Sequence, residues 1–193
     1  MTRRRLILIA ALWLCFFTKL LFYSSFVPLW EGYDEFAHFA FVHYLTENHT
    51  LPPLQNTRVS QEVAESLRLA PVPWTIRQWT PGWITYDNFW RLPEASRQQR
   101  ERELKQIPRA SDREPAPTLP LYEAQQPPLA YLLHTIPYAV FQSADLLTRT
   151  WVLRVAGSAI VSLVIPPSFI VARRILGSDL QAVGVSAVVA AMP

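Results

Sequence analysis

The stretch EGYDEFAHFAFVHYL, residues 31–45, places two adjacent carboxylates, Asp34 and Glu35, and an imidazole, His38, at the head of a run that is otherwise almost wholly apolar and aromatic. On a helix, Asp34 and His38 are four apart and Glu35 and His38 three apart, so the three polar groups share one face while Phe36, Phe39, Ala40 and Phe41 cover the rest. Neighbouring carboxylates partly removed from water repel each other, a setting that suits either a general base or a divalent cation held by Asp34 and Glu35. A plainer reading stands beside these: acids in the first turn of a helix complement its dipole, and His38 then bonds a backbone carbonyl at an interface. The order D-E-x-x-H lacks the first histidine of the zinc-protease motif, and no second Glu-x-x-His exists to build a di-iron bundle.

The elements that must carry this cluster read as membrane helices. RRRLILIAALWLCFFTKLLFYSSF opens on three arginines and continues as an apolar run interrupted by Thr18 and Lys19, long enough to cross a bilayer at about 1.5 Å per residue. It exceeds the apolar core of a cleaved secretory signal, the competing reading, and no clean small-x-small site follows it. WVLRVAGSAIVSLVIPPSFIVA, residues 151–172, is a second candidate and ends on Arg173 and Arg174. AVGVSAVVAAMP begins a third that is unfinished at Pro193, so the chain reads as the first portion of something larger.

Basic residues beside short loops face the cytoplasm, so Arg3 to Arg5 hold the N-terminus inside and Arg173 with Arg174 return the chain there. The expected fold is an all-α integral membrane protein. It has a first transmembrane helix over 1–26, a large extracytoplasmic loop over 27–150, a transmembrane helix over 151–172, a cytoplasmic loop over 173–180 and the truncated start of a further helix over 181–193. Interfacial helices are expected within the loop at about 34–46 and 127–142. The second of these, built on QQPPLAYLLHTIPYAVF, is short and carries three prolines and His134, which favours the interface over the alternative of a full span.

Residues 46–125 are a different material, with ten basic and ten acidic residues and therefore no patch for nucleic acid. SQEVAESLRLA, with Ser60 as N-cap, and PEASRQQRERELKQI, with a proline near its first turn, read as helices on either side of the Trp- and Pro-rich PVPWTIRQWTPGWITYDNFW. A single Cys15 excludes an internal disulfide and any cysteine-based metal cluster. No glycine-rich phosphate loop occurs, so no cofactor is implied beyond the divalent cation already named.

The order of motifs resembles the opening of the GT-C-fold membrane glycosyltransferases, the group that contains protein O-mannosyltransferases and lipid A aminoarabinose transferases. An apolar N-terminal helix is followed by YDEFAHFAFVHYLTENHTLP, YEAQQPPLAYLL, and LRVAGSAIVSLV before ARRILGSD. That resemblance, to bacterial members of the group above all, implies transfer of a sugar from a polyprenyl-phosphate carrier at the outer face of a membrane, the compartment being the bacterial plasma membrane. It implies Asp34 as the base for the acceptor, Glu35 as its partner and His38 as the histidine one turn later. It also implies that Glu123, Gln125 and Gln126 border the carrier phosphate and that Arg154, at the head of the next span, joins them in binding carrier or substrate, its plainer reading being an interfacial snorkelling residue. Gln125 or Gln126 stands where a histidine or lysine is usual, and Ala130 where an aromatic is usual. Glutamine donates to phosphate without bringing charge, so an arginine elsewhere, a metal or residues beyond Pro193 must supply it.

The two candidate walls of a site are thus residues 34–38 and 123–128, with a lipid-linked sugar and the membrane as partners, an unspecified acceptor, and no activity expected of this chain by itself. The competing reading is a non-catalytic membrane protein that binds a partner or polymer through its loop, with the acidic pair serving only as a helix cap.

Overall fold

The computed structural model describes residues 2–73, 76, 83–109 and 115–192. It is mostly helical and divides into two compact units, one of Met1–Phe26 with Arg154–Pro193, the other of Val27–Leu153. Two stretches, Arg3–Phe26 and Leu146–Leu176, are long and apolar enough to cross a membrane.

In the first unit, α1 (Arg3–Phe26) packs with α8 (Ile165–Leu176) and α9 (Asp179–Ala191) around Ile9, Phe169, Ala172 and Ala182. The stretch 151–172, expected as one helix, is divided between α7 (Leu146–Ser162) and α8 by a turn at Leu163 and Val164. Pro166 and Pro167 explain the division. Neither offers an N–H to the preceding turn, and both are tolerated only where those donors would be unpaired, at the start of a helix. Gly177 ends α8 in the left-handed conformation, with φ 73° and its N–H on the Arg173 carbonyl. Lys19, Arg5, Arg173 and Asp179 of this apolar unit have partners. Lys19 donates to the carbonyls of Ala190, Ala191 and Met192 at the C-terminal end of α9. Asp179, in the first turn of α9, accepts from Arg5 and Arg173, so both ends of that helix dipole are matched by opposite charge.

The second unit holds α2 (Glu35–Asn48), β1 (Arg58–Ser60), α3 (Gln61–Ser66), α4 (Tyr86–Arg91), α5 (Glu94–Gln106), β2 (Pro115–Pro120), a single 3₁₀ turn (Tyr122–Gln125) and α6 (Leu129–Val140). β1 and β2 pair antiparallel, Arg58 opposite Pro120 and Ser60 opposite Pro115, with an irregular register between. Ser60 caps α3 by accepting from the Val63 N–H, and Pro93 precedes α5, whose charged surface is largely exposed while Leu104 alone is buried. Much of the Trp- and Pro-rich stretch lies outside the described residues.

α2 is the centre of this unit. Phe36, Ala37, Phe39, Ala40, Phe41, Val42, His43 and Leu45 are all buried, packed with Val59, Val63, Leu67, Leu119, Leu121 and Tyr138. Its apolar surface therefore meets the core of the unit. α6 behaves differently: Leu129, Leu132, Leu133, Ile136 and Val140 are exposed while Tyr138 is buried. A helix that buries one edge and leaves an apolar stripe uncovered has the surface expected of one lying against lipid.

The core also contains a polar network absent from the sequence reading. Arg149, at the start of α7, donates to Glu62 of α3, to the Tyr138 hydroxyl of α6 at 2.6 Å and to the Ala144 carbonyl at 3.1 Å. The Tyr138 hydroxyl lies 2.6 Å from Nδ1 of His43 on α2. The guanidinium also sits over the Phe39 and Tyr138 rings, 5.6 and 5.7 Å from their centroids. One buried cation thereby joins four helices.

Candidate functional site

The site begins at the entry to α2. Asp34 occupies the N-cap position, but its backbone is left-handed, with φ 53° and ψ 17°, and its side chain makes no capping bond. Its carbonyl still accepts from the Ala37 and His38 N–H groups, at 2.9 and 3.1 Å, so the helix starts without the carboxylate. Oδ1 instead accepts from the Tyr122 hydroxyl at 2.7 Å. Aspartate is one of the few residues that tolerates this backbone conformation. The side chain thus makes no capping hydrogen bond and turns instead to a residue 88 positions away.

Glu35 takes a different direction. Its Oε2 accepts from the Trp30 backbone N–H at 3.0 Å, reaching back over Gly32, where an added Cβ would stand 3.3 Å from that of Glu35. Trp30 is fully buried and itself left-handed, with φ 64°. For a bulky residue this is a strained backbone, and three bonds hold it: Glu35 on its N–H, Nε1 to Ser66 Oγ at 2.7 Å, and its carbonyl accepting from Tyr86 at 2.9 Å. Glu35 is thus a brace for the turn preceding α2. The two acids engage different partners, and among the described residues no group of three or more His, Cys, Asp or Glu converges to hold a metal ion.

His38 lies one turn into α2 with its side chain 45% exposed, against 6% for Glu123. Its Nδ1 is 2.8 Å from the Tyr131 hydroxyl and 3.8 Å from Glu123 Oε2, and the imidazole stacks against the Tyr131 ring at 5.8 Å. Glu123 Oε2 is buried and has no hydrogen-bond partner. A phosphate brought directly to that oxygen would meet like charge from an ionised Glu123.

Gln125 lines an open pocket of about 710 Å³ together with Gln55, Asn56, Thr57, Arg58 and Tyr122, with Leu54, Pro120 and Leu121 also on its walls. Gln126 is exposed just beyond. Arg154 belongs to the other unit, where its guanidinium donates to the Ser24 carbonyl at 3.3 Å. The described structure therefore gathers Asp34, His38 and Glu123 into one neighbourhood and sets Gln125 beside it through Tyr122.

The residues that make the connection, Tyr122 and Tyr131, were not singled out from sequence. Tyr122 adjoins Glu123 in YEAQQPPLAY and Tyr131 ends that segment, but nothing local tells which aromatic rings turn toward α2. Burial, followed by the bond to Asp34 and its charge, pushes the Tyr122 phenol well above the usual tyrosine range. It stays a donor, and the hydrogen bond to Asp34 has a fixed polarity. Tyr86 is pushed up to about 12 by burial and by the charges of Glu31, Glu35 and Asp34, a measure of how acidic this neighbourhood is. No family model, curated protein or solved structure matches the chain.

Proposed function

We propose that the chain carries the acceptor-side acid and part of the phosphate-side wall of a lipid-carrier-dependent glycosyltransferase acting at the outer face of a membrane, with Asp34 as general base. The reading is carried by the hydrogen bond from Tyr122 to Asp34, which joins the first acidic motif to the segment expected to border the leaving phosphate. Asp34 takes the proton of the incoming hydroxyl or amine as the bond between the anomeric carbon and the carrier phosphate oxygen breaks. The Tyr122 hydroxyl occupies one carboxylate oxygen and orients the other.

The leaving phosphate needs donors and positive charge. Gln125 supplies amide N–H groups, and Arg58, on the same pocket, supplies the charge that the glutamine lacks. A lipid-linked donor also requires membrane contact, for which the long apolar stretches and the exposed stripe of α6 are suited.

The test is Asp34→Asn, assayed in native membranes with a polyprenyl-phosphate-linked sugar. Asparagine adopts the left-handed conformation readily and can still accept from Tyr122, so the fold is preserved while proton acceptance is lost. Turnover should fall by about two to four orders of magnitude. Wild-type turnover in this variant would remove the catalytic assignment and favour the reading as a non-catalytic binding protein.

A further inference from the structure

Burial of a carboxylate oxygen without a hydrogen-bond donor is costly, and each such atom calls for an explanation. Among the described residues of the second unit three occur: Glu31 Oε2, Glu62 Oε2 and Glu123 Oε2. Glu62 already holds Arg149 through its other oxygen. Among the described residues no arginine or lysine pairs with Glu31, Asp34 or Glu123, and the cationic group nearest Glu123 Oε2 is the His38 imidazole at 3.8 Å, beyond hydrogen-bond distance. Asp34 is tied to the Glu123 segment by the Tyr122 hydroxyl, which donates to its Oδ1 at 2.7 Å from the residue next to Glu123. The Glu123 side chain is only 6% exposed, whereas the His38 side chain 3.8 Å away is 45% exposed.

We infer that the Glu123 and Asp34 carboxylates, with the His38, Tyr122 and Tyr131 side chains around them, form a binding site for an organic ammonium group. An anion would face like charge from every acid in the cluster. A divalent ion needs carboxylates converging at one point, which the described residues do not provide. A neutral hydroxyl would bring one hydrogen-bond donor and no charge to the carboxylates. An ammonium donates three hydrogen bonds, accepts none and is attracted to tyrosine faces, which matches a site rich in acceptors and phenol rings. The inference rests on the transferase reading in one respect, that the ammonium belongs to the acceptor and gives up its proton to Asp34; the binding site itself does not.

The experiment titrates the full chain, in detergent micelles at constant pH, with ethanolamine and with ethylene glycol, which exchanges the ammonium for a hydroxyl. The readout is the His38 ring NMR signal, assigned by its disappearance in His38→Gln. Ethanolamine should move that signal saturably and ethylene glycol should not. Glu123→Gln should weaken ethanolamine binding at least about tenfold, the loss expected for one charge-assisted hydrogen bond, while Glu123→Asp retains a response. Should Glu123→Gln fail to fold, Asp34→Asn replaces it with the same expected weakening. Equal responses to the two probes, no response to either, unchanged affinity in the variant that folds, or displacement of ethanolamine by submillimolar Mg²⁺ would overturn the inference. No sugar donor is present, so failure here leaves the transferase reading to be decided by turnover, and loss of that reading leaves ammonium binding to be decided here.

Discussion

Arg149→Met should be among the most damaging single substitutions in the second unit. Its guanidinium and the Glu62 carboxylate are 0% and 1% exposed, so water cannot take the place of the lost cation. Removing one partner of such a pair costs about 3–5 kcal/mol, a large share of the roughly 5–15 kcal/mol that stabilises a typical domain. Glu62→Leu should cost a similar amount by stranding the opposite charge. The double variant, Glu62→Leu with Arg149→Met, removes both charges from the core and should recover most of the loss, so the single effects will not add. Denaturant unfolding of the full chain in mild detergent, followed by near-UV circular dichroism, reads the packing of the Phe39 and Tyr138 rings that flank Arg149.

The same pair has a pH signature. Burial pushes the Glu62 carboxyl above its ordinary value, against the opposing pull of Arg149. A raised folded-state value contributes stability that is fully present below the ordinary glutamate range and is lost as pH rises through the raised value. Arg149→Met deletes the opposing pull, so the variant should lose more stability than the wild type between acid and neutral pH. A single-variant cost below about 1 kcal/mol, or a double variant as unstable as the sum of the singles, would refute the account of a desolvated, mutually dependent pair.

Alkaline conditions should expose the acidic setting of Tyr86, whose hydroxyl holds its proton to about 12 in the folded chain. The stability from that raised value is complete below the ordinary tyrosine range and is lost as pH climbs toward about 12. Tyr86→Phe should flatten the decline, measured by unfolding midpoints alongside tyrosinate absorbance; an unchanged decline would remove Tyr86 from the account. For topology, Gln99→Cys in a Cys15→Ala background places a thiol on the exposed surface of α5. An impermeant thiol reagent should label it in intact cells, and labelling only after lysis would overturn the outer-face assignment.

The sequence alone determined features set by near neighbours. Apolar length marks Arg3–Phe26 and the region around 151–172 as candidates to cross a membrane, because backbone polar groups in hydrocarbon must be satisfied within a helix. The Ser60 cap, the proline before α5 and the shared helical face of Asp34 and His38 are equally local. Pro166 and Pro167 were also visible, yet the length of the apolar run concealed the turn they impose.

Tertiary structure decided what each face meets. The period of residues 35–48 is compatible with lipid or protein on the apolar side; packing against Val63, Leu119 and Tyr138 makes α2 a core helix. Glu35 and Asp34 are neighbours in sequence, but Glu35 turns back to Trp30 while a left-handed backbone carries Asp34 toward Tyr122. Glu62 and Arg149 are 87 positions apart, and His43 and Tyr138 are 95 apart. Such pairings have no periodic signature, because an ion pair or a buried hydrogen bond is selected by the geometry in which separate helices pack, and residue type alone leaves many partners equally suitable.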